Sequence, residues 1–387
     1  MGIKGLTRLI SDNAPEAITY KKIGAYQGRR IAIDASMSIY QFMIAVRPGM
    51  DGMMLTDASG AETSHLVGLL YRTIRLMMMG IKPLYVFDGK PPEMKSEELV
   101  KRREARAKAE AELLKATKAD DAEAIEKFSK RTLRVTKEHM AECQRLLTLM
   151  GVPWIEAPSE AEAQCAALAK AGKVFAAGSE DTDTLTFGSP ILLRNLTASA
   201  ARKLDIMELD LERALQGLGL TMAQFIDVCI LCGCDYCDSI RGIGPVRALQ
   251  FIKQYGSIEG MLEKIDTTKY VVPDNWNFAV ARRLFTDPDV MPADQVDLKA
   301  NAEAGLDETG LMQYLVEEKG FDTVRISRAV QKIKDIRKKA KGSQTHLDSF
   351  FGRPTVIVNQ NRKRKAIADA KAKRAGKKRK GNGKPRR

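Results

Sequence analysis

Three short apolar runs along the chain each end in an acidic residue. They cover Arg30–Asp34, Pro83–Asp88 and Lys173–Asp181, and segments with helical spacing separate them. Short buried strands that alternate with helices are typical of βαβ units and a parallel sheet. In such an open sheet, ligands bind beyond the carboxyl ends of the strands. We therefore predict an α/β fold in which the three terminal acids meet at one edge of the sheet.

A long polar segment separates the second and third predicted strands. Residues 95–137 contain 13 Lys and Arg and 9 Asp and Glu but few large apolar side chains, so this segment cannot belong to a core. We predict a solvated, mobile helical insertion that follows Asp88 and lies over the strand ends. A charged surface helix without a role in the site is the alternative interpretation.

A glycine-rich hairpin, Ser239–Ala248, lies between two predicted helices. It resembles a dinucleotide-binding loop, but no strand precedes it and Arg247 stands in place of the third small residue. Glycines ahead of a helix expose backbone N–H groups that bind a phosphate. We predict that this hairpin contacts a phosphate backbone.

The net charge of +14 is concentrated at the end of the chain. Residues 361–387 hold 14 Lys and Arg against one acid, whereas residues 1–360 carry a net charge of only +1. From about Arg337 the apolar pattern stops, which predicts a disordered basic tail. Within this tail, Gln344–Phe351 contains two adjacent aromatic residues, and we interpret it as a segment that folds into a partner's pocket.

Four of the six cysteines, Cys229, Cys232, Cys234 and Cys237, have a spacing that imitates a zinc or iron–sulfur site. The run Phe225–Leu231 reads as the end of a buried helix, which would place Cys229 in an apolar core. Free cysteine packs there as a small hydrophobic residue, and we favour that interpretation. No segment of about 18 apolar residues is present, so we expect no membrane span.

Further acids lie near the predicted strand ends. Ser159 is the expected N-cap of a helix, with Glu162 as the third residue of a capping box. Glu162 alone is explained by capping, but Glu160 and Glu162 in a first turn also reach forward beyond the helix end. Asp181 and Asp183 are two residues apart and share one face of an extended backbone.

These acids form a predicted cluster without histidine. Carboxylates that share a partly buried site repel one another and raise each other's pKa. Ligation by oxygen alone favours Mg²⁺ or Mn²⁺, and two ions about 4 Å apart recur in phosphodiester hydrolysis. The cluster comprises Asp34, Asp88, Glu160, Glu162, Asp181, Asp183 and Asp235.

Two basic residues begin the polar insertion. Lys95 and Arg102 are seven residues apart, and two helical turns place them on one face. We predict that they supply positive charge to a scissile phosphate and its transition state. Each taken singly is also explained as a solvated surface cation.

The sequence resembles the eukaryotic flap endonucleases over residues 1 to about 335. Each motif is weak alone, but together and in this order they are specific. The motifs are Met1–Leu6, Ile33–Ser36, Val86–Gly89, Ala157–Ala163, Glu180–Asp183 and Gly233–Tyr236 with the Gly242 hairpin.

The resemblance implies two Mg²⁺ ions. Asp34, Asp88, Glu160 and Glu162 would hold the first. Asp181, Asp183 and Asp235 would hold the second, with Glu162 shared. Lys95 and Arg102 match the catalytic cations of a helical arch through which a 5′ single strand threads, and Gly2 would place its amine near the site once Met1 is removed.

The resemblance also implies DNA contacts. Tyr40 matches an aromatic residue that stacks on a base, and the hairpin looks like a potassium-assisted grip on duplex DNA. Lys319 and Arg325 fall where the family binds a one-nucleotide 3′ flap. The expected DNA-binding residues are Tyr40, Arg47, Arg72, Ser239, Ile240, Gly242, Gly244, Lys319 and Arg325.

The tail segment matches the sliding-clamp motif of this family. Gln344, Leu347, Phe350 and Phe351 satisfy the pattern, although Thr345–His346 replaces the usual Gly and basic pair. Two other departures are Cys232 and Cys234, which replace Leu and Ser. The basic clusters Arg362–Lys365 and Lys377–Lys380 look like nuclear import signals and are also suited to binding DNA without sequence preference.

The combined prediction is an α/β nuclease core over residues 1–336 and a disordered tail over 337–387. The core has a mostly parallel twisted sheet flanked by helices, an arch insertion at about 89–137 and a helix-hairpin-helix module at about 225–265. We expect a monomeric nuclear enzyme that cuts branched DNA as a 5′ flap endonuclease and 5′-3′ exonuclease. The alternatives are a non-catalytic, clamp-tethered DNA-binding scaffold and an aspartyl-phosphate phosphatase based on Asp181–Leu185.

Overall fold

A seven-stranded mixed sheet organises the described part of the chain. The computed structural model describes residues 2–45, 63–198, 204–274 and 276–340. The strand order is β1-β7-β6-β5-β2-β3-β4. The strands are β1 Ile18–Lys21, β2 Arg30–Asp34, β3 Lys82–Phe87, β4 Trp154–Glu156, β5 Ala176–Gly178, β6 Ile191–Arg194 and β7 Ile206–Asp210.

Fifteen α-helices connect or flank these strands within the described ranges. A π-helical turn, Gln313–Glu318, follows the fourteenth. The helices are α1 Leu6–Asn13, α2 Ala35–Ala45, α3 Ser64–Met78, α4 Ser96–Lys118, α5 Ala122–Thr132, α6 Lys137–Met150, α7 Ala161–Lys170, α8 Asp183–Thr186, α9 Leu211–Leu218, α10 Met222–Cys232, α11 Pro245–Tyr255, α12 Ile258–Leu262, α13 Phe278–Thr286, α14 Glu308–Met312 and α15 Thr323–Ala340.

The parallel part of the sheet consists of β6, β5, β2, β3 and β4. The strand β7 pairs antiparallel with both β6 and β1 at the other edge. This confirms the predicted mostly parallel α/β sheet. Because β5, β2 and β3 are parallel neighbours, their carboxyl ends lie at one edge.

Helices cover both faces of the sheet. Along β2, Ile31 and Ile33 face a core built with α2, α3, α6 and α15, whereas Ala32 faces the opposite core against α7. All three side chains are fully buried. This alternation follows from the two-residue period of a strand, and it explains why the run reads as continuously apolar.

The polar segment forms a hairpin of two helices, α4 and α5. Only Ala109 and Ala116 are buried in α4, and no residue of α5 is buried. Asp121 caps α5 by accepting a hydrogen bond from the Ala124 N–H, 3.0 Å away. The predicted helical, solvated character of the insertion is therefore confirmed.

The last helix continues past the predicted end of the core. The helix α15 extends to Ala340, and the Arg337 guanidinium donates hydrogen bonds of 2.9 and 2.8 Å to the carbonyls of Met150 and Gly151. Arg337 therefore belongs to the core rather than to the tail. The sequence pattern missed this because the end of α15 is rich in Lys and Arg.

Candidate active site

Three neighbouring strands deliver acids to one edge of the sheet. Asp34 ends β2, Asp88 directly follows β3, and Asp181 lies just beyond β5. Asp34 is 2% exposed and Asp181 is 6% exposed. The predicted meeting of these strand ends is confirmed.

The start of α7 differs from the prediction. The N-cap is Glu160 rather than Ser159, and no side chain of its own segment caps it. Instead, the Asp88 carboxylate accepts a hydrogen bond of 2.8 Å from the Ala161 N–H. Because a carboxylate that follows another strand accepts this N–H at the start of the helix, Glu162 does not form the expected capping box.

Ser179 links two of the acids, a role that its sequence context did not reveal. Its hydroxyl donates to Asp34 Oδ2 at 2.9 Å and accepts from the Asp181 N–H at 3.0 Å. The Asp183 N–H in turn donates to Asp181 Oδ1 at 2.9 Å. These bonds fix the orientation of the Asp34 and Asp181 carboxylates.

The N-terminal backbone packs directly on two of the carboxylates. Gly2 has a φ of +77°, and a Cβ at this position would lie 1.9 Å from Asp181 Oδ1 and 2.8 Å from Asp183 Oδ1. Only glycine fits so close an approach with a positive φ. The structure therefore places Gly2 directly against the Asp181 and Asp183 carboxylates.

Asp183 carries an unsatisfied oxygen. Its Oδ1 atom is buried and has no hydrogen-bond partner among the described residues. Burial and the charges of Asp181 and Asp235 raise the pKa of Asp183 well above its ordinary value. A buried carboxylate oxygen without a partner is costly, and a bound cation would satisfy it.

The carboxylates lie close enough to perturb one another's ionisation. Burial, followed by the charge of Asp88, raises the pKa of Asp34 to about 7. Burial and the charges of Asp34 and Asp88 raise the pKa of Glu162 well above its usual range. Acids from three strand ends, α7 and the loop after α10 thus form one electrostatic cluster.

Two basic side chains from the insertion reach into this cluster. Lys95, just before α4, donates to Glu160 Oε1 and lies 3.5 Å from Asp235 Oδ2. Arg102 donates to the same Asp235 oxygen at 2.7 Å. Burial lowers the pKa of Lys95, but the charges of three nearby carboxylates outweigh this effect and raise it.

Tyr236 is a further site residue that the sequence analysis missed. Its hydroxyl donates to Glu160 Oε2, so Lys95 and Tyr236 together occupy both oxygens of Glu160. Burial, followed by the charge of Glu160, raises the pKa of Tyr236. With the side chains as they stand, no three acidic, His or Cys side chains of the described residues are close enough to hold an ion.

The hairpin lies between α10 and α11, as predicted. Ile240 is 1% exposed and its side chain belongs to the core, whereas Ser239 is exposed. Gly242 has a φ of +88°. Gly244 is the N-cap of α11 and has no side chain that could accept a hydrogen bond. The first free N–H groups of this helix therefore point out of its N-terminus, along the helix axis.

The other residues that we expect to contact DNA differ in their burial and in their neighbours. Tyr40 is partly buried on α2. The Arg72 guanidinium lies 4.5 Å above the Phe42 ring, and burial lowers the pKa of Arg72. Lys319 pairs with the Glu142 carboxylate, and Arg325 is exposed on α15.

Several predicted site residues lie outside the described residues. They are Arg47 and the clamp motif residues Gln344, Leu347, Phe350 and Phe351. Residues 341–387 of the predicted disordered tail lie there as well. The prediction for Cys229 does fall within the structure, and its burial in the last turns of α10 is confirmed.

Membrane-spanning character is weak in the described helices. No single helix is long and apolar enough to cross a bilayer. The neighbouring helices α9 and α10 pass this criterion only as a pair, and they meet at an angle of 85°.

Comparison with known proteins identifies the family. Residues 1–109 match the XPG N-terminal domain and residues 151–235 match the XPG I-region. The chain is 56% identical over 380 residues to flap endonuclease 1 of Branchiostoma floridae, covering 97% of this chain and 98% of that protein. It is 53% identical over 387 residues to flap endonuclease 1-A of Sorghum bicolor, covering 99% and 100%.

A solved structure supports the same assignment. The flap endonuclease-1 of Methanococcus jannaschii matches with a TM-score of 0.65 at 32% identity, over 85% of this chain and 98% of that one. The chain therefore belongs to the flap endonuclease family of structure-specific nucleases.

Proposed function

We propose that this nuclease cuts 5′ flaps in branched DNA and degrades 5′ ends as a 5′-3′ exonuclease, in lagging-strand maturation and base-excision repair. The observation that carries the proposal is the cluster of buried carboxylates, into which Lys95, just before α4, and Arg102, on α4, both reach. The relatives named flap endonuclease support the choice of substrate.

The cluster suits two Mg²⁺ ions, for which Mn²⁺ is a substitute. Its donors are all oxygens, and the buried Asp183 Oδ1 atom has no other partner among the described residues. Mg²⁺ bound here supplies Lewis acidity and charge neutralisation for phosphodiester hydrolysis. The first ion is assigned to Asp34, Asp88, Glu160 and Glu162, and the second to Asp181, Asp183 and Asp235 with Glu162 shared.

The chain's own groups position the scissile phosphate. Lys95 and Arg102 now donate N–H groups to carboxylate oxygens, and the same donors suit the oxygens of a phosphodiester. Donors fixed before the reaction stabilise the negative charge that develops in the transition state. The backbone of Gly2 closes the other side of the cluster against Asp181 and Asp183.

Other surfaces are proposed to bind the rest of the substrate. The hairpin of Ser239, Ile240, Gly242 and Gly244 would hold duplex DNA through backbone groups, with a K⁺ ion. Tyr40 would stack on a base near the cut, and Arg47 and Arg72 would contact phosphates. The pair Lys319 and Arg325 would bind a one-nucleotide 3′ flap.

The tail is proposed to determine the partner and the compartment. Residues 344–351 would bind a sliding clamp, and the basic clusters of residues 361–387 would direct a monomeric enzyme to the nucleus. A fusion of residues 352–387 to a fluorescent reporter tests import. A cytoplasmic reporter would contradict the nuclear assignment.

Cleavage of a labelled double-flap DNA by the Asp181→Ala variant tests the proposed activity. We expect Mg²⁺-dependent cleavage by the wild-type protein, no product with EDTA, and loss of cleavage with retained DNA binding in the variant. The matched control is Asp294→Ala, which removes an exposed carboxylate. Full activity of Asp181→Ala would overturn the assignment.

A further inference from the structure

Two cysteines face each other across the loop that follows α10. Cys234 Sγ and Cys237 Sγ are 3.8 Å apart, and both residues are partly buried. Gly233, with a φ of +105°, turns the chain out of α10, and residues 233–239 have no regular secondary structure. The two sulfurs are thus in contact on a segment without helical hydrogen bonds.

The loop between these thiols carries two residues of the site. Asp235 accepts the hydrogen bond from Arg102 and lies 3.5 Å from the Lys95 ammonium. Tyr236 donates to Glu160. Any covalent link between positions 234 and 237 therefore closes a small ring around both site residues.

A small cavity gives access to the pair. It has a volume of about 140 Å³ and is lined by both cysteines together with Lys4, Glu97, Lys101 and Ser239. The remaining cysteines, Cys143, Cys165, Cys229 and Cys232, are all buried. Among the described thiols, Cys234 and Cys237 are therefore the pair that a dissolved reagent reaches.

We propose that Cys234 and Cys237 form a reversible dithiol–disulfide pair that switches the Asp235 loop, with a low-molecular-weight disulfide such as oxidised glutathione as the oxidant. The Cys234 thiolate attacks one sulfur of the oxidant, which forms a mixed disulfide and releases one molecule of thiol. The Cys237 thiolate then attacks Cys234 Sγ and releases the second. The protein loses two protons and two electrons, and glutathione disulfide takes them up to become two glutathione molecules.

Closing the bond moves the loop. A disulfide has an S–S length of about 2.05 Å, so the two sulfurs, now 3.8 Å apart, must approach by about 1.8 Å. Rotation about the Cα–Cβ bonds absorbs part of this movement, and the backbone that carries Asp235 absorbs the rest. A displacement of about 1 Å at a catalytic group costs on the order of 10²-fold in rate.

The test is to equilibrate the full-length protein with glutathione buffers from fully reduced to fully oxidised. Peptide mapping by mass spectrometry follows the disulfide, and single-turnover cleavage of a 5′-flap DNA in Mg²⁺ follows activity. We expect a Cys234–Cys237 disulfide, a parallel loss of cleavage of on the order of 10²-fold, and recovery of both with dithiothreitol.

Cys234→Ser and Cys237→Ser are the matched variants, since either removes the pair with a near-isosteric side chain. In oxidising buffer, each variant should cleave the flap DNA at the same rate that it shows in reducing buffer. The proposal is overturned if mapping finds only mixed disulfides or another pair, or if oxidised wild type cleaves at the reduced rate. It is also overturned if Cys234→Ser loses activity on oxidation.

The activity part of this inference rests on the proposed function, but the mapping does not. A protein that forms the disulfide yet cleaves no DNA when reduced would refute the proposed function, and the dithiol pair itself would stand. A protein that cleaves DNA but forms no such disulfide would refute only the switch.

Discussion

Replacement of Gly2 by alanine should disable cleavage without unfolding the protein. A Cβ at this position would stand 1.9 Å from Asp181 Oδ1, 2.8 Å from Asp183 Oδ1 and 2.9 Å from the Thr182 nitrogen. Ordinary contact begins near 3.4 Å, so the N-terminal backbone and the Asp181 carboxylate must separate by about 1.5 Å. Neither oxygen belongs to a flexible surface chain, because both acids are buried.

This displacement sets the size of the expected effect. A misplacement of about 1 Å at a reacting centre costs on the order of 10²-fold in rate, and we expect at least that loss for Gly2→Ala. Where Met1 is retained, the positive φ of residue 2 adds a backbone cost of about 1–2 kcal/mol, which acts on stability rather than on the chemistry.

The assay is single-turnover cleavage of a 5′-flap DNA at saturating Mg²⁺, with urea unfolding measured in parallel. Gly172→Ala is the matched control, because Gly172 has a φ of +70° and nothing lies within 4 Å of its added Cβ. It should show the same backbone cost and an unchanged rate. Equal rates for Gly2→Ala and wild type would refute the reasoning.

The hydrogen bonds and ion pairs of the buried charged side chains lead to three further predictions. In EDTA, the free energy of unfolding should fall as pH rises from about 4 to 7, because the pKa of Asp34 is about 7 in the folded protein and about 3.9 in the unfolded chain. Asp34→Asn should remove up to about 4 kcal/mol of this loss in urea titrations; a stability that rises with pH in EDTA would contradict this. Arg282→Ala leaves the Asp227 carboxylate, which is 3% exposed, without its bidentate partner. We expect the free energy of unfolding to fall by about 3 kcal/mol. A fall of less than about 1 kcal/mol would show that the ion pair is effectively solvated. Lys95→Met should slow flap cleavage by about 10²–10³-fold. The control Lys101→Met, which removes an exposed ion pair, should leave the cleavage rate near that of wild type. Equal rates for the two variants would contradict the role of Lys95.

The local pattern of apolar residues in the sequence was sufficient to predict the strands that carry the acids. The run that ends at Asp34 is buried on both faces of the sheet, so it reads as a continuous apolar segment bounded by a charge. By contrast, β4 has three residues, and β1 is an edge strand without buried side chains. Neither has enough alternating positions to give a recognisable period.

The contacts that complete the site were not predictable because they join residues distant in sequence. Asp88 satisfies the start of α7 at Ala161, so the expected Ser159 cap is not used. Tyr236 reaches Glu160 across 76 positions. Spacing rules describe one element at a time, and these bonds form only when several elements pack together.

We propose that the carboxylate cluster binds divalent ions. Electron paramagnetic resonance titration of the full-length protein with Mn²⁺, in the presence of a non-cleavable 5′-flap DNA, measures the number of bound ions directly. We expect two Mn²⁺ ions per wild-type chain and fewer in Asp183→Asn, which alters the buried carboxylate that has an unpartnered oxygen. Failure of the wild-type protein to bind Mn²⁺ stoichiometrically, or identical binding by the variant, would contradict the account.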